Sequence, residues 1–177
     1  MASAKGDDRT ELLRELMEAY HRDVFHVLLG YVKDRHIAED LAQDVFVKVY
    51  DHLGSFRQES SYRTWIMRIA VNRAKDFLRS FAHKTIPIED VSQWDSEYSV
   101  EQTVISHVRD EYLWKAVIDL PELYREVIWL YYAKEMTIEE ISQILDLNQS
   151  AVKTRMFRGR ELLKKAWKGS GEHDARG

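Results

Sequence analysis

TIEEISQILDLNQSAVKTRMFRGRELLKKAW, Thr137 to Trp167, begins acidic and amphipathic, turns at Asp146-Leu147-Asn148 and ends strongly basic. Thr137 suits a helix N-cap, and Glu140 three residues on completes a capping box. Ile138, Ile141, Ile144 and Leu145 recur at helical spacing and form a stripe that must be buried. Asn148 suits the N-cap of a second helix. Along that helix Val152, Met156, Gly159, Leu163 and Ala166 share one face, while Gln149, Ser150, Lys153, Thr154, Phe157 and Arg158 share the other. Two short helices joined by a three-residue turn make a helix-turn-helix. Many such turns carry glycine; Asp146 tolerates unusual backbone angles better than most residues.

The second helix holds Lys153, Arg155, Arg158, Arg160, Lys164, Lys165 and Lys168 against Glu161, a local net charge of +6 in a chain whose overall net charge is −4. Lysine and arginine gain affinity for phosphate by counterion release. Lys153, Thr154 and Arg158 are also of the types that read base edges in a major groove. The plainer alternative is a solvated basic helix whose charges complement its own dipole.

Working outward, the 177 residues allow one domain or two small ones, and 45% hydrophobic residues are enough for a packed core. Two prolines and seven glycines leave room for long helices. With no cysteine, disulfides, thiolate metal sites and a cysteine nucleophile are excluded. MASAKGDDRTELL lacks the apolar segment of a signal peptide, and no apolar run approaches the ~20 residues of a membrane span. The chain reads as soluble and cytoplasmic.

Leu12, Leu13, Leu16, Ala19, Tyr20, Val24, Val27 and Leu28 predict a first helix from about Asp8 to Val32. A second runs from near Ile37 to Leu53, with Gly54 as its C-terminal stop. After the polar loop SFRQESS, a third spans Tyr62 to Phe81 with Tyr62, Trp65, Ile66, Ile69, Ala70, Phe77 and Phe81 facing inward. Periodicity then fails. Between Thr85 and Glu111 stand Glu89, Asp90, Asp95, Glu97, Glu101, Asp110 and Glu111 against Arg109, a net −6 that suits a tether. Helical pattern resumes near Val100 and runs to about Leu120. Pro121 suits the N1 position of a helix reaching about Lys134. The expected architecture is all-α: two helical domains, residues 8–82 and 105–168, joined by an acidic linker at 83–104 and followed by a disordered tail at 169–177.

The third helix has its own basic stripe, Arg68, Asn72, Lys75 and Arg79, within a Tyr62–Lys84 segment of net +5. Basic side chains interleaved with Tyr62 and Trp65 suit single-stranded nucleic acid, where bases stack and phosphates pair. Trp65 equally suits ordinary packing, the commoner use of an aromatic at helical spacing. On the second helix Asp40, Gln43 and Asp44 share a face. They either stabilise the helix dipole or offer a docking surface to a basic partner.

AEDLAQDVFVKVYDHLGSFR with SSYRTWIMRIAVNRAKDFLR resembles region 2 of the extracytoplasmic-function (ECF) sigma factors of bacterial RNA polymerase. LPELYREVIWLYYAKEMTIEEISQILDLNQSAVKTRMFRGRELLKKAW resembles their region 4, and the likeness extends from about residue 10 to 168 in the family's order. It implies that Asp40, Gln43 and Asp44 dock on the clamp helices of the polymerase's largest subunit. It implies that the loop Ser55–Ser61 and the following helix recognise the −10 element and trap an extruded base, through Arg57, Arg68, Asn72, Lys75 and Arg79. It implies that Ser150, Lys153, Thr154, Phe157 and Arg158 read the −35 element, that region 4 meets the polymerase flap, and that the linker threads the product channel. A cognate anti-sigma factor, often membrane-bound in this family, is implied as a further partner. Ser150-Ala151 stands where the family often has Gly-Thr, and Gly159 where Ala is frequent.

No catalytic constellation is present, so neither an enzyme nor a cofactor is expected. The seven histidines are scattered, and His36 beside Glu39 and Asp40 lacks the further ligands a metal needs. A helix-turn-helix regulator that binds operators without polymerase, and a helical protein-interaction adaptor, are the rival classes. In the free chain, the linker's negative charge is expected to fold back on the two basic stripes.

Overall fold

The computed structural model describes residues 2–83, 116–117 and 119–171. Among them are six α-helices and no strand: α1 (Ala2–Val32), α2 (Arg35–His52), α3 (Tyr62–His83), α4 (Glu122–Tyr132), α5 (Ile138–Leu145) and α6 (Gln149–Gly171). The chain divides into two compact units, Met1–Trp94 and Asp95–Gly177.

The first unit packs α1, α2 and α3 against one another. Its core interleaves Leu16, Val24, Val27 and Leu28 of α1 with Leu41, Val45, Phe46 and Val49 of α2 and Ile66, Met67, Ala70, Val71 and Ala74 of α3. Each large apolar side chain buried in this way contributes about 1.5–3 kcal/mol. The expected inward face of α3 was rotated from the true one. Ile66 and Ala70 are buried, but Tyr62, Trp65, Ile69 and Phe77 are only half-buried, and Met67, Val71 and Ala74 take the core positions. The basic residues between them hid the second apolar row. On α1, Ala19 faces solvent instead of the core.

Helix ends also differ from expectation: α1 begins at Ala2 and not near Asp8. α2 starts at Arg35 because Asp34 caps it: Asp34 Oδ1 accepts the Ile37 N–H at 2.9 Å. Gly54 does not stop that helix as a left-handed residue. It lies inside a 3-10 turn, Leu53–Ser55, and no glycine among the described residues has positive φ. The turn draws the chain toward the loop that precedes α3.

The second unit is built on the helix-turn-helix. Thr137 Oγ1 accepts the Glu140 N–H at 3.2 Å and the Glu140 carboxylate accepts the Thr137 N–H at 2.9 Å, so the capping box is complete. Ile141, Ile144 and Leu145 of α5 are buried with Val127, Ile128 and Leu130 of α4 and Val152 and Met156 of α6. Asp146 ends α5 in the left-handed region at φ 54°, ψ 49°. Ser142 fastens the turn twice, accepting the Leu147 N–H on its carbonyl at 3.0 Å and donating its hydroxyl to the Leu147 carbonyl. Asn148 Oδ1 then accepts the Ala151 N–H at 2.7 Å to open α6. Pro121 sits one place earlier than expected, at the N-cap of α4 with ψ 140°, and α4 ends at Tyr132. Ala166 is exposed and Leu163 half-buried, so the buried face of α6 closes earlier than its sequence pattern. α6 continues to Gly171, past the expected end at 168 and into the segment taken as tail. The linker at 83–104, all but the end of the 100–120 helix, and residues 172–177 lie outside the described residues, apart from His83 at the end of α3.

Candidate functional site

Three surfaces carry the residues singled out in the sequence. The first is on α2. Asp40, Gln43 and Asp44 are all exposed on one face, and Val47, one turn further along it, is 61% exposed. Ala38, Leu41, Ala42 and Val45 on the opposite face are buried, which fixes the helix's rotation. Asp44 is engaged from α3: Arg73 Nε and Nη2 both donate to Asp44 Oδ2, at 3.1 and 2.6 Å. The sequence reading missed Val47 and Arg73. Val47 was legible as the apolar residue at i+7 from Asp40; Arg73 was not, because its partner lies 29 residues away.

The second surface is the α3 stripe and the loop before it. Arg68, Asn72 and Arg79 are exposed, Lys75 is half-buried, and Arg57 is exposed in the loop. Ser61 caps α3, its Oγ accepting the Thr64 N–H at 3.1 Å, and Thr64 is buried. Phe56 stacks on Tyr62 at 4.6 Å between ring centroids and lies 4.7 Å from Trp65. Trp65 is therefore neither a plain core residue nor an open stacking platform. With Tyr62 and Phe56 it forms a half-buried aromatic cluster that pins the Arg57 loop to the start of α3. The lone aromatic in a polar loop was the signal for Phe56.

The charge count overstates this stripe. Arg63 faces Asp23 at 3.6 Å, Arg73 faces Asp44, and Arg79 Nη2 lies 2.8 Å from Asp76 Oδ1. Three of the basic groups thus already have a carboxylate beside them.

The third surface is the outer face of α6. Ser150, Lys153, Thr154 and Arg158 are exposed and Phe157 is 66% exposed, with Val152, Met156 and Gly159 buried behind them. Thr154 donates its hydroxyl to the Ser150 carbonyl at 2.9 Å, leaving its methyl and an acceptor lone pair outward. Two of the counted cations turn elsewhere. Arg155 Nη1 lies 2.9 Å from Glu126 Oε1 on α4, and Arg160 sits 5.7 and 5.5 Å from the Tyr131 and Tyr132 ring centroids. Gly159 lets α6 approach α4: a Cβ there would meet Ile128 Cγ1 at 2.9 Å. Among the described residues no cluster of histidine and carboxylate side chains could hold a metal, and no helix is long and apolar enough to cross a membrane.

A bundle with an exposed acidic face and a basic helix, followed by a helix-turn-helix in a separate unit, is the construction of a sigma-70-type transcription initiation factor. Residues 16–84 match the family model Sigma-70 region 2, and residues 110–163 match Sigma-70, region 4. The chain is 31% identical over 150 residues to the ECF RNA polymerase sigma factor SigM of Bacillus subtilis (strain 168), covering 85% of this chain and 91% of that one. It is 31% identical over 170 residues to the ECF RNA polymerase sigma-E factor of Escherichia coli (strain K12), covering 90% and 87%. In fold it is similar to the sigma factor RpoE of Bartonella quintana, solved in complex with the anti-sigma factor NepR, with TM-score 0.70, 21% identity and coverage of 88% and 96%. The structure of CnrH in complex with the cytosolic domain of CnrY gives TM-score 0.64 at 21% identity, covering 95% and 91%. The chain belongs to the ECF sigma factors of RNA polymerase. Its function is to direct the polymerase to promoters, through regions 2 and 4 that bind core polymerase and promoter DNA.

Proposed function

We propose that the three surfaces divide the work of promoter-directed initiation. Asp40, Gln43 and Asp44 dock region 2 on the clamp helices of the polymerase's largest subunit. Arg57, Arg68, Asn72, Lys75 and Arg79 take the −10 element, and Ser150, Lys153, Thr154, Phe157 and Arg158 the −35 element. Region 4 also meets the flap, and the acidic linker passes through the product channel. One observation carries this assignment: on α2 Asp40, Gln43 and Asp44 are exposed with Leu41 and Ala42 buried between them, and on α6 the named side chains are exposed with Val152 and Met156 buried between them, so each set is presented on a rigid helix.

The mechanism is physical. No bond is made or broken by this chain. Two DNA-reading modules on one tether raise each other's effective concentration at a promoter with both elements. The α6 face meets duplex. The α3 face favours opened DNA, so its binding free energy offsets the few kcal/mol needed to extrude a base. The work is done in the cytoplasm, with the polymerase. A cognate anti-sigma factor is the proposed negative regulator, by analogy with the Bartonella quintana sigma factor solved in complex with the anti-sigma factor NepR.

Transcription from genomic fragments by reconstituted holoenzyme tests this division. Arg68→Ala with Asn72→Ala should leave promoter occupancy largely intact but reduce permanganate reactivity of the −10 thymines. Lys153→Ala with Phe157→Ala should reduce occupancy itself. Wild-type transcription from both variants would refute the assignment.

A further inference from the structure

Arg73 lies on α3 but points away from that helix's basic stripe. Arg68, Asn72, Lys75 and Arg79 follow one another at helical spacing on α3; Arg73 departs from that line toward α2. There both its Nε and its Nη2 converge on a single oxygen, Asp44 Oδ2. Asp44 Oδ1 accepts no hydrogen bond from the described residues, and the Asp44 side chain is 51% exposed. The Arg73 side chain is less exposed, at 26%.

This geometry does two things to the carboxylate. Two N–H donors of one rigid fork converging on Oδ2 anchor that oxygen beside α3 and so restrict the rotamers open to the Asp44 side chain. It also leaves Oδ1 without a hydrogen bond among the described residues, on a side chain exposed on the same face as Asp40, Gln43 and Val47. A free surface aspartate would have to be ordered at the moment of binding, at an entropic cost; a held one would not. The pair is too exposed to matter much for the fold, which the buried row of α3 already secures.

We infer that Arg73 is a positioning residue for polymerase docking: it holds Asp44 so that Oδ1 is presented to a basic or hydrogen-bond-donating group of the core enzyme. The inference rests on the docking role of Asp44. It gives α3 a share in both contacts of region 2, DNA along its stripe and polymerase through Arg73.

Positioning and charge predict opposite signs. Arg73 carries a positive charge beside an acidic docking face. If it only masked Asp44, its removal would tighten binding to a basic surface. If it positions Asp44, its removal weakens binding.

The test is the affinity of the full-length chain for core RNA polymerase, for wild type, Asp44→Ala, Arg73→Ala, Arg73→Lys and the Asp44→Ala/Arg73→Ala double variant. Thermal unfolding of each variant checks that the bundle is intact. Arg73→Ala should weaken binding about three- to tenfold in the wild-type background and have little effect once Asp44 is gone. Arg73→Lys keeps the charge without the fork and should fall between wild type and Arg73→Ala. Unchanged or tighter binding by Arg73→Ala, or an equal loss in both backgrounds, overturns the positioning role. An Asp44→Ala variant that binds like wild type would instead overturn the docking reading on which it rests.

Discussion

Arg155 Nη1 lies 2.9 Å from Glu126 Oε1, joining the recognition helix α6 to α4. The Glu126 side chain is only 5% exposed and that of Arg155 29%. A residue counted among the phosphate-binding cations is thus part of the scaffold that aims the helix.

Removing the charge of Arg155 takes a cationic partner from a carboxylate that is only 5% exposed. Arg155→Met keeps much of the stem's packing while deleting the guanidinium. The second unit should lose about 2–3 kcal/mol, toward the lower side of values for broken buried pairs because Arg155 is partly hydrated. Chemical denaturation followed by the tryptophan signal would show it; an unchanged midpoint would mean that the contact is not stabilising.

The cations of α6 should separate in a salt titration of −35 duplex binding. Lys153→Ala should lower the slope of log affinity against log salt by about 1, because it removes one cation from the DNA-facing side of the helix. Phe157→Ala should leave the slope unchanged and weaken the preferred sequence selectively, because an exposed phenyl ring contributes apolar contact with bases and no counterion release. A lowered slope for Phe157→Ala would contradict the assignment.

Gly159 is a packing glycine. Alanine there would improve helix propensity by about 1 kcal/mol but force its Cβ within 2.9 Å of Ile128 Cγ1, an overpacking that costs about 1–3 kcal/mol. Gly159→Ala should therefore lower the melting temperature modestly, and Gly159→Val more. A rise with alanine would show that Ile128 yields freely.

At the turn, Asp146 holds φ 54° with a side chain that prefers other regions. Asp146→Gly relieves that strain and adds some unfolded-state entropy, for a net gain of roughly 0.5 kcal/mol. Thermal unfolding would register it as a small increase; a clear loss would mean that the aspartate contributes something beyond backbone shape.

The fold class and the helix-turn-helix were legible because their signals are local. Thr137 and Glu140, Asp146 and Asn148 each act within a few residues of themselves. The faces of α2 and of α6 as far as Gly159 were legible because strongly polar and strongly apolar positions alternate cleanly along them. On α3 they do not: Met67, Val71 and Ala74 join Ile66 and Ala70 in the buried row, while larger aromatics beside them drew the expected face toward Tyr62 and Trp65. Charges could be counted but not paired. Asp44 with Arg73, and Glu126 with Arg155, are contacts across helices that sequence spacing does not encode.

The most direct measurement is the equilibrium affinity of the chain for core RNA polymerase, wild type against an Asp40/Gln43/Asp44→Ala variant with matched helical content. Docking through the α2 face predicts a loss of at least about tenfold, with promoter-specific transcripts lost in parallel. Equal affinity in the two proteins would contradict it and place the contact with polymerase elsewhere on the chain.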